Sequence, residues 1–149
     1  MASRTTVNCL VGHKRNGDPV LEEVLVDPQD DGAVRVVASP TLALGFAAGD
    51  LLRVDDEGRT EVIERGGNLA VQVYVPHEHL DRWSSQLRDL GGRVDGRAPG
   101  VSVVTVPVSA GFQAVEKLVT EIVQSVPDGE WYFGNVYADD GETPLNWWK

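Results

Sequence analysis

Hydrophobic positions along this chain follow two different rhythms. Up to residue 64 they come in short runs broken by polar turns, the spacing of a small antiparallel sheet. Residues 6–11, 20–26, 34–37, 51–54 and 59–64 read as five strands. Their connections carry turn chemistry: His13-Lys14-Arg15-Asn16-Gly17-Asp18-Pro19, then Asp27-Pro28-Gln29-Asp30-Asp31-Gly32, then Asp55-Asp56-Glu57-Gly58. From Asn68 onward the rhythm changes. Asn68-Leu69-Ala70-Val71-Gln72-Val73-Tyr74-Val75 is a β-branched and aromatic run. Leu80, Trp83, Leu87 and Leu90 then recur at helical spacing, predicting one helix closed by Gly91-Gly92.

Arg93-Val94 opens a further strand, and residues 101–108 form a strongly β-prone run. Ser109 stands where an N-cap would begin a second helix. Phe112, Val115, Leu118, Val119, Ile122, Val123 and Val126 form its apolar stripe, and Pro127-Asp128-Gly129 stops it. Trp131, Tyr132, Phe133, Val136 and Tyr137 make a last strand. The order strand-helix-strand-strand-helix-strand is the split βαβ pattern. The expected fold is therefore α+β: a small β-barrel-like N-terminal half (1–66) packed on a ferredoxin-like C-terminal half (67–138), with an acidic, aromatic tail (139–149). Gly66-Gly67 marks the boundary between the halves.

Composition changes this picture little, and charge narrows it. The chain has 149 residues, 42% of them hydrophobic, and a net charge of −10. The charge is even: 7 basic and 12 acidic groups up to residue 66, 6 and 11 after it. Phosphate recognition needs clustered Lys and Arg. Only pairs such as Lys14-Arg15 occur, so no nucleic-acid partner is expected. No apolar run approaches the length of a spanning helix, and Met1-Ala2-Ser3-Arg4-Thr5-Thr6 lacks the apolar core of a secretory signal. The single cysteine, Cys9, rules out an internal disulfide. These features point to the cytoplasm and away from membranes.

Several constellations invite chemistry. His77-Glu78-His79-Leu80-Asp81 resembles the His-x-His-x-Asp ligand motif of metallo-β-lactamase-like hydrolases. Arg82, however, stands where a further His should follow, and only His13 remains elsewhere. A catalytic zinc needs three protein ligands, so His77, His79 and Asp81 are weak catalytic candidates and no metal or cofactor is expected. The simpler reading is a solvated helix N-terminus, where Glu78 and Asp81 favour the positive end of the dipole. Cys9 and His13, four apart on a strand, would face the same way and could pair as nucleophile and base. A lone cysteine is more often a small buried hydrophobe. The acidic groups at Asp55-Asp56-Glu57 and Asp139-Asp140-Glu142 lack the spacing of a calcium loop and read as solvated turns. No nucleotide fingerprint occurs. Trp131-Tyr132-Phe133 lacks both the signature and the positive charge of an RNA-binding sheet.

The segment Leu42-Ala43-Leu44-Gly45-Phe46-Ala47-Ala48-Gly49-Asp50 runs directly into a strand. It resembles the Gly-Asp box of cradle-loop and related small β-barrels. That likeness implies a structural role for Gly49 and Asp50, the glycine permitting a tight turn and the carboxylate bonding its backbone. With the phrase Val62-Ile63-Glu64-Arg65-Gly66-Gly67 and the closing pair Leu90-Gly91, the chain resembles a family of small bacterial proteins known only as a domain of unknown function. The resemblance covers residues 7–137. It implies a bacterial origin and carries no catalytic residues to transfer.

Three of the four tryptophans lie in the last nineteen residues. Trp147 and Trp148 either fold back over a groove on their own domain or anchor a partner, since tryptophan is a favoured interface anchor. The expectation is a non-catalytic interaction, regulatory or immunity-type protein acting on a protein partner or on itself, with Trp147 and Trp148 as partner-binding residues. The alternative is a small-molecule-binding accessory protein or enzyme of a bacterial biosynthetic pathway. Its site would lie in the cleft between the halves, rimmed by Arg65, His77, His79 and Asp50. A structural subunit of a homo-oligomer is a third reading.

Overall fold

The computed structural model describes residues 3–149; Met1 and Ala2, which enter the reading of the N-terminus, lie outside them. The chain is α+β, with two antiparallel sheets and short helices. Strands β1 (Thr5–His13), β2 (Pro19–Pro28), β3 (Val34–Val36), β4 (Leu51–Val54) and β5 (Thr60–Glu64) pair in sequence order as a meander. Its turns are built by short polar side chains. The Asp31 carboxylate accepts the Ala33 N–H at 3.1 Å, and one Asp55 oxygen accepts both the Glu57 and Arg59 N–H groups at 2.9 Å. Such Asx bonds mimic a backbone turn and fix the reversal.

The meander curls without closing. The Leu10 N–H donates to the Gly58 carbonyl at 2.8 Å, drawing the β4–β5 turn against β1. Strands β1 and β5 remain the two ends of the sheet. The expected barrel-like half is thus an open sheet among the described residues, because β4 and β5, at 4 and 5 residues, are too short to wrap round to β1. Cys9, Val24, Val26, Val36, Ala43, Phe46 and Leu52 form its core.

The second sheet has the order β7-β8-β6-β9, all antiparallel, from β6 (Asn68–Tyr74), β7 (Arg93–Ala98), β8 (Val101–Pro107) and β9 (Glu130–Phe133). On one face lie α1 (His77–Asp81), α2 (Ser84–Asp89) and α3 (Phe112–Gln124). Leu69, Val71 and Val73 of β6 meet Leu80, Leu87, Val115, Leu118, Val119 and Ile122 there. Fully burying an aliphatic side chain of this size stabilises by about 1.5–3 kcal/mol, so the α3 stripe is what holds the helices to the sheet.

The opposite face is covered by the β3–β4 connection, residues 37–50. Ala47 packs on Ala70 and Val103, the Gln72 Nε2 donates to the Thr41 carbonyl at 3.0 Å, and the Asn68 amide donates to the Ala48 carbonyl at 2.8 Å. The Thr105 hydroxyl bonds Ser39 Oγ and Asp95, whose carboxylate also takes the Ser39 N–H. With both faces covered, β6 and β8 are buried almost throughout, which is why they read as continuous apolar runs.

Two local expectations are corrected. The single helix expected through Leu80 and Leu90 is broken at Arg82 and Trp83. The Arg82 and Trp83 N–H groups donate three residues back, to the His79 and Leu80 carbonyls, and the Ser84 hydroxyl donates to the Asp81 carbonyl at 2.6 Å. This tightening offers the backbone an alternative to the helical ladder. At the other helix, Ser109 lies within a 3-10 turn (Val108–Ala110), and α3 starts after Gly111 at φ +90°. Glycine there permits a reversal that a serine cap would not.

Candidate functional site

The two phrases that carry the family resemblance meet in space. Asp50, 1% exposed, accepts the Ala47 N–H at 2.9 Å and the Gly66 N–H at 2.8 Å. Arg65 completes the cluster: its guanidinium lies 3.5 Å from Asp50, donates to the Gly45 carbonyl at 2.9 Å, and stacks 5.4 Å from the Trp147 ring centroid. Burial raises the Asp50 carboxyl above its ordinary value; the Gly66 and Ala47 N–H groups and Arg65 oppose it. Burial likewise lowers Arg65, against the pull of Asp50. Gly49 and Gly66 touch backbone to backbone: a Cβ on Gly66 would stand 2.4 Å from the Gly49 carbonyl carbon. These residues fasten the first sheet, the β5–β6 link and the tail to one another.

His77, His79 and Asp81 do not converge. The His77 Nε2 lies 2.9 Å from the Ala98 carbonyl and so donates to it. The His79 Nε2 lies 2.7 Å from Ser125 Oγ, whose hydroxyl in turn donates to the Ile122 carbonyl. Asp81 pairs with Arg97, which holds its carboxyl below the ordinary value. Each side chain ties α1 to a different neighbour. The rim expected from Arg65, His77, His79 and Asp50 is likewise not assembled: Asp50 and Arg65 bind each other, and the histidines bind carbonyls elsewhere. Among the described residues, no group of three or more His, Cys, Asp or Glu is placed to hold a metal ion.

Cys9 and His13 are also separated. A register shift between Leu10 and Gly12 interrupts the alternation of β1, so Cys9 is fully buried and His13 exposed. Burial, with Glu22 nearby, pushes the Cys9 thiol up to about 11, so the thiolate is scarce at neutral pH.

The tail folds back. The Trp147 Nε1 donates to the Asn135 carbonyl at 2.8 Å, and Trp148 meets Phe112 edge-on with centroids 5.0 Å apart. Trp147 and Trp148 also stack on each other at 5.5 Å. Both rings are half-buried against their own chain, where they finish the α3–β9 core. Asn135, fully buried, accepts the Ala70 N–H and donates to the Asn68 carbonyl, so it prolongs the β6 ladder by side chain.

A concavity of about 480 Å³ runs along the outer side of β9. Trp131, Tyr132 and Phe133 form one wall, Leu44 and Gly45 a second, and Tyr137 and Asp139 a third, with Glu116 of α3 at the border. Leu44, Tyr132 and Tyr137 are 59%, 51% and 41% exposed. Gly45 is pinned from both ends: its N–H donates to Gly134 at 2.8 Å and its carbonyl takes Arg65. The Asp50–Arg65 cluster therefore positions one wall of the groove. Sequence reasoning singled out the aromatic run but placed no function on Leu44, Glu116 or Asp139. The available signals were Leu44 within a small-residue segment and aromatics in a terminal strand. Neither says that the two lie side by side.

An antiparallel sheet with helices on one face, a covering loop on the other and an aromatic edge groove defines a small α+β domain. The chain belongs to the family described as Domain of unknown function (DUF4265), whose model matches residues 22–131. Its structure is similar to that of a hypothetical protein from Neisseria gonorrhoeae, with a TM-score of 0.64 and 14% identity over 90% of this chain and 94% of that one. At that identity the likeness concerns the fold alone. No curated protein sequence matches the chain. None of the described helices is long and apolar enough to cross a membrane.

Proposed function

We propose that this chain is a non-catalytic interaction protein, regulatory or immunity-type, that acts on a protein partner in the bacterial cytoplasm through the β9 groove. The observation that carries the reading is the juxtaposition of Leu44, Tyr132 and Tyr137, three exposed large side chains, around one concavity at a sheet edge. Contiguous exposed apolar surface marks interaction sites, whereas scattered residues need no explanation. The titratable groups bordering the groove are the carboxylates of Glu116 and Asp139 and the phenols of Tyr132 and Tyr137, with no cationic side chain among its lining residues. A net charge of −10 suits a basic partner. We class the second unit as ferredoxin-like, supported by its strand order β7-β8-β6-β9, and the first as a barrel-like curl, supported by the Leu10–Gly58 bond.

A photo-crosslinking amino acid in place of Tyr132, in the full chain expressed in its host, is expected to trap a protein adduct. The same group in place of Glu23, exposed on the other sheet, is expected to trap none. Equal trapping at both positions, or none at either, would refute the reading. The groove volume also falls in the range of small-molecule sites. Native mass spectrometry of the purified chain tests that second reading by the presence of a bound mass.

A further inference from the structure

We infer that the groove receives an extended segment of a basic partner protein, added as a fifth strand along β9, with a Lys or Arg side chain held between Glu116 and Asp139. The inference rests on the interaction reading above and names the form of the partner.

The backbone argument comes from register. The Gly134 N–H donates to the Ala70 carbonyl at 2.8 Å, and β9 continues against β6 with Phe133 opposite Val71, Tyr132 opposite Gln72 and Trp131 opposite Val73. In an antiparallel ladder, alternate residues bond the neighbouring strand. The Gly134 N–H and the backbone groups of Tyr132 and Glu130 therefore face β6, the Gly134 carbonyl accepts the Gly45 N–H, and the N–H and C=O groups of Trp131 and Phe133 point outward into the groove. Protein edges are ordinarily blunted by lysine, proline, a bulge or an inward charge. The β9 edge, Glu130-Trp131-Tyr132-Phe133, carries no lysine, proline or bulge; it is short, at four residues, and its one charge is Glu130 at its start. An added strand would bond Trp131 and Phe133 and place alternate side chains on two sides, one against Leu44 and Tyr132, the other toward α3.

Charge selects the occupant. Glu116 and Asp139 border the groove, Glu130 lies at the strand's start, and no Lys, Arg or His lines the concavity. A second copy paired edge to edge would set these carboxylates against their own counterparts, which is unfavourable. A segment alternating apolar and cationic residues complements both the aromatic wall and the acidic border.

The probe is a short synthetic peptide of alternating valine and lysine, titrated into the full chain labelled with nitrogen-15. The expected result is slowed hydrogen exchange at the Trp131 and Phe133 amides, with binding weakened about tenfold in the Glu116→Gln/Asp139→Asn double variant. Binding without protection of those two amides would overturn the strand pairing. Equal binding of a valine–glutamate peptide would overturn the charge selection. Light scattering that shows a dimer, with both amides already protected, would make a second copy the occupant and overturn the proposal. If crosslinking at residue 132 traps a protein while the peptide fails, this inference falls and the interaction reading stands. If crosslinking itself fails, the interaction reading falls.

Discussion

The two edges of the second sheet are built on opposite plans. Strand β7 alternates Arg93, Asp95 and Arg97, carries a register shift between Val94 and Gly96, and is tied down by the Arg97–Asp81 and Arg93–Asp95 ion pairs. Strand β9 presents aromatics, keeps an unbroken register and borders a groove. Both strands end the same four-stranded sheet, so sheet geometry does not explain the contrast. Charges and bulges are how proteins prevent unwanted strand pairing. Strand β7 thus carries both a bulge and paired charges, whereas β9 has an unbroken register and a single charge, Glu130, at its start.

The largest expected effect comes from removing what holds the open edge in shape. Asp50→Ala leaves Arg65 without its carboxylate and strands the N–H groups of Ala47 and Gly66. Breaking a buried pair in this way costs about 3 kcal/mol, read as a lower midpoint in urea unfolding followed by tryptophan fluorescence. A loss below about 1 kcal/mol would show that the Gly49–Gly66 backbone contact holds the joint without the acid.

Exchanging the character of the edges is the next test. Tyr132→Lys gives β9 a guard of the β7 kind and is expected to weaken the valine–lysine peptide at least tenfold, with stability changed by no more than about 0.5 kcal/mol. Arg97→Val removes a guard from β7. Loss of its partly exposed pair with Asp81 costs under about 1 kcal/mol, while light scattering should reveal new association. Unchanged peptide binding in the first variant would mean that the two edges differ in sequence and not in use.

The smallest effect lies at the far wall of the groove. Asp140 accepts the Thr143 hydroxyl and the N–H groups of Thr143 and Glu142, which together hold its carboxyl down at about 2, below the ordinary 3.8. A depressed carboxyl contributes above its unfolded value and loses that contribution as pH falls through its folded value. The amide resonances of Glu142 and Thr143 should therefore hold steady above pH 4 and move as the pH falls toward about 2, and Asp140→Asn should remove that titration.

Much of the architecture was legible along the chain. The α3 stripe from Val115 to Val123 is buried as its spacing requires, and Asp31-Gly32 and Asp55 make the turns that such residues make. The break at Arg82 was not legible, because Leu80 and Leu87 keep helical spacing across it and the bonds that mark it, from the Arg82 and Trp83 N–H groups and the Ser84 hydroxyl, form only in the folded chain. The surroundings of the histidines were not legible for a related reason: spacing puts His77 and His79 on one short helix, but it does not say that their rings reach the Ala98 carbonyl and Ser125 in different directions.

By itself, then, the sequence determined where the strands and the α3 stripe fall, and which face of α3 is apolar. Those properties depend on neighbours within a few positions, where periodicity and turn chemistry act. The meeting of Asp50 with Arg65 and Gly66, the return of Trp147 and Trp148 onto Phe112 and Asn135, and the exposure of the β9 edge beside Leu44 were decided only by the tertiary structure. Each joins residues distant in the chain, and local patterning specifies the face an element buries without specifying what covers it.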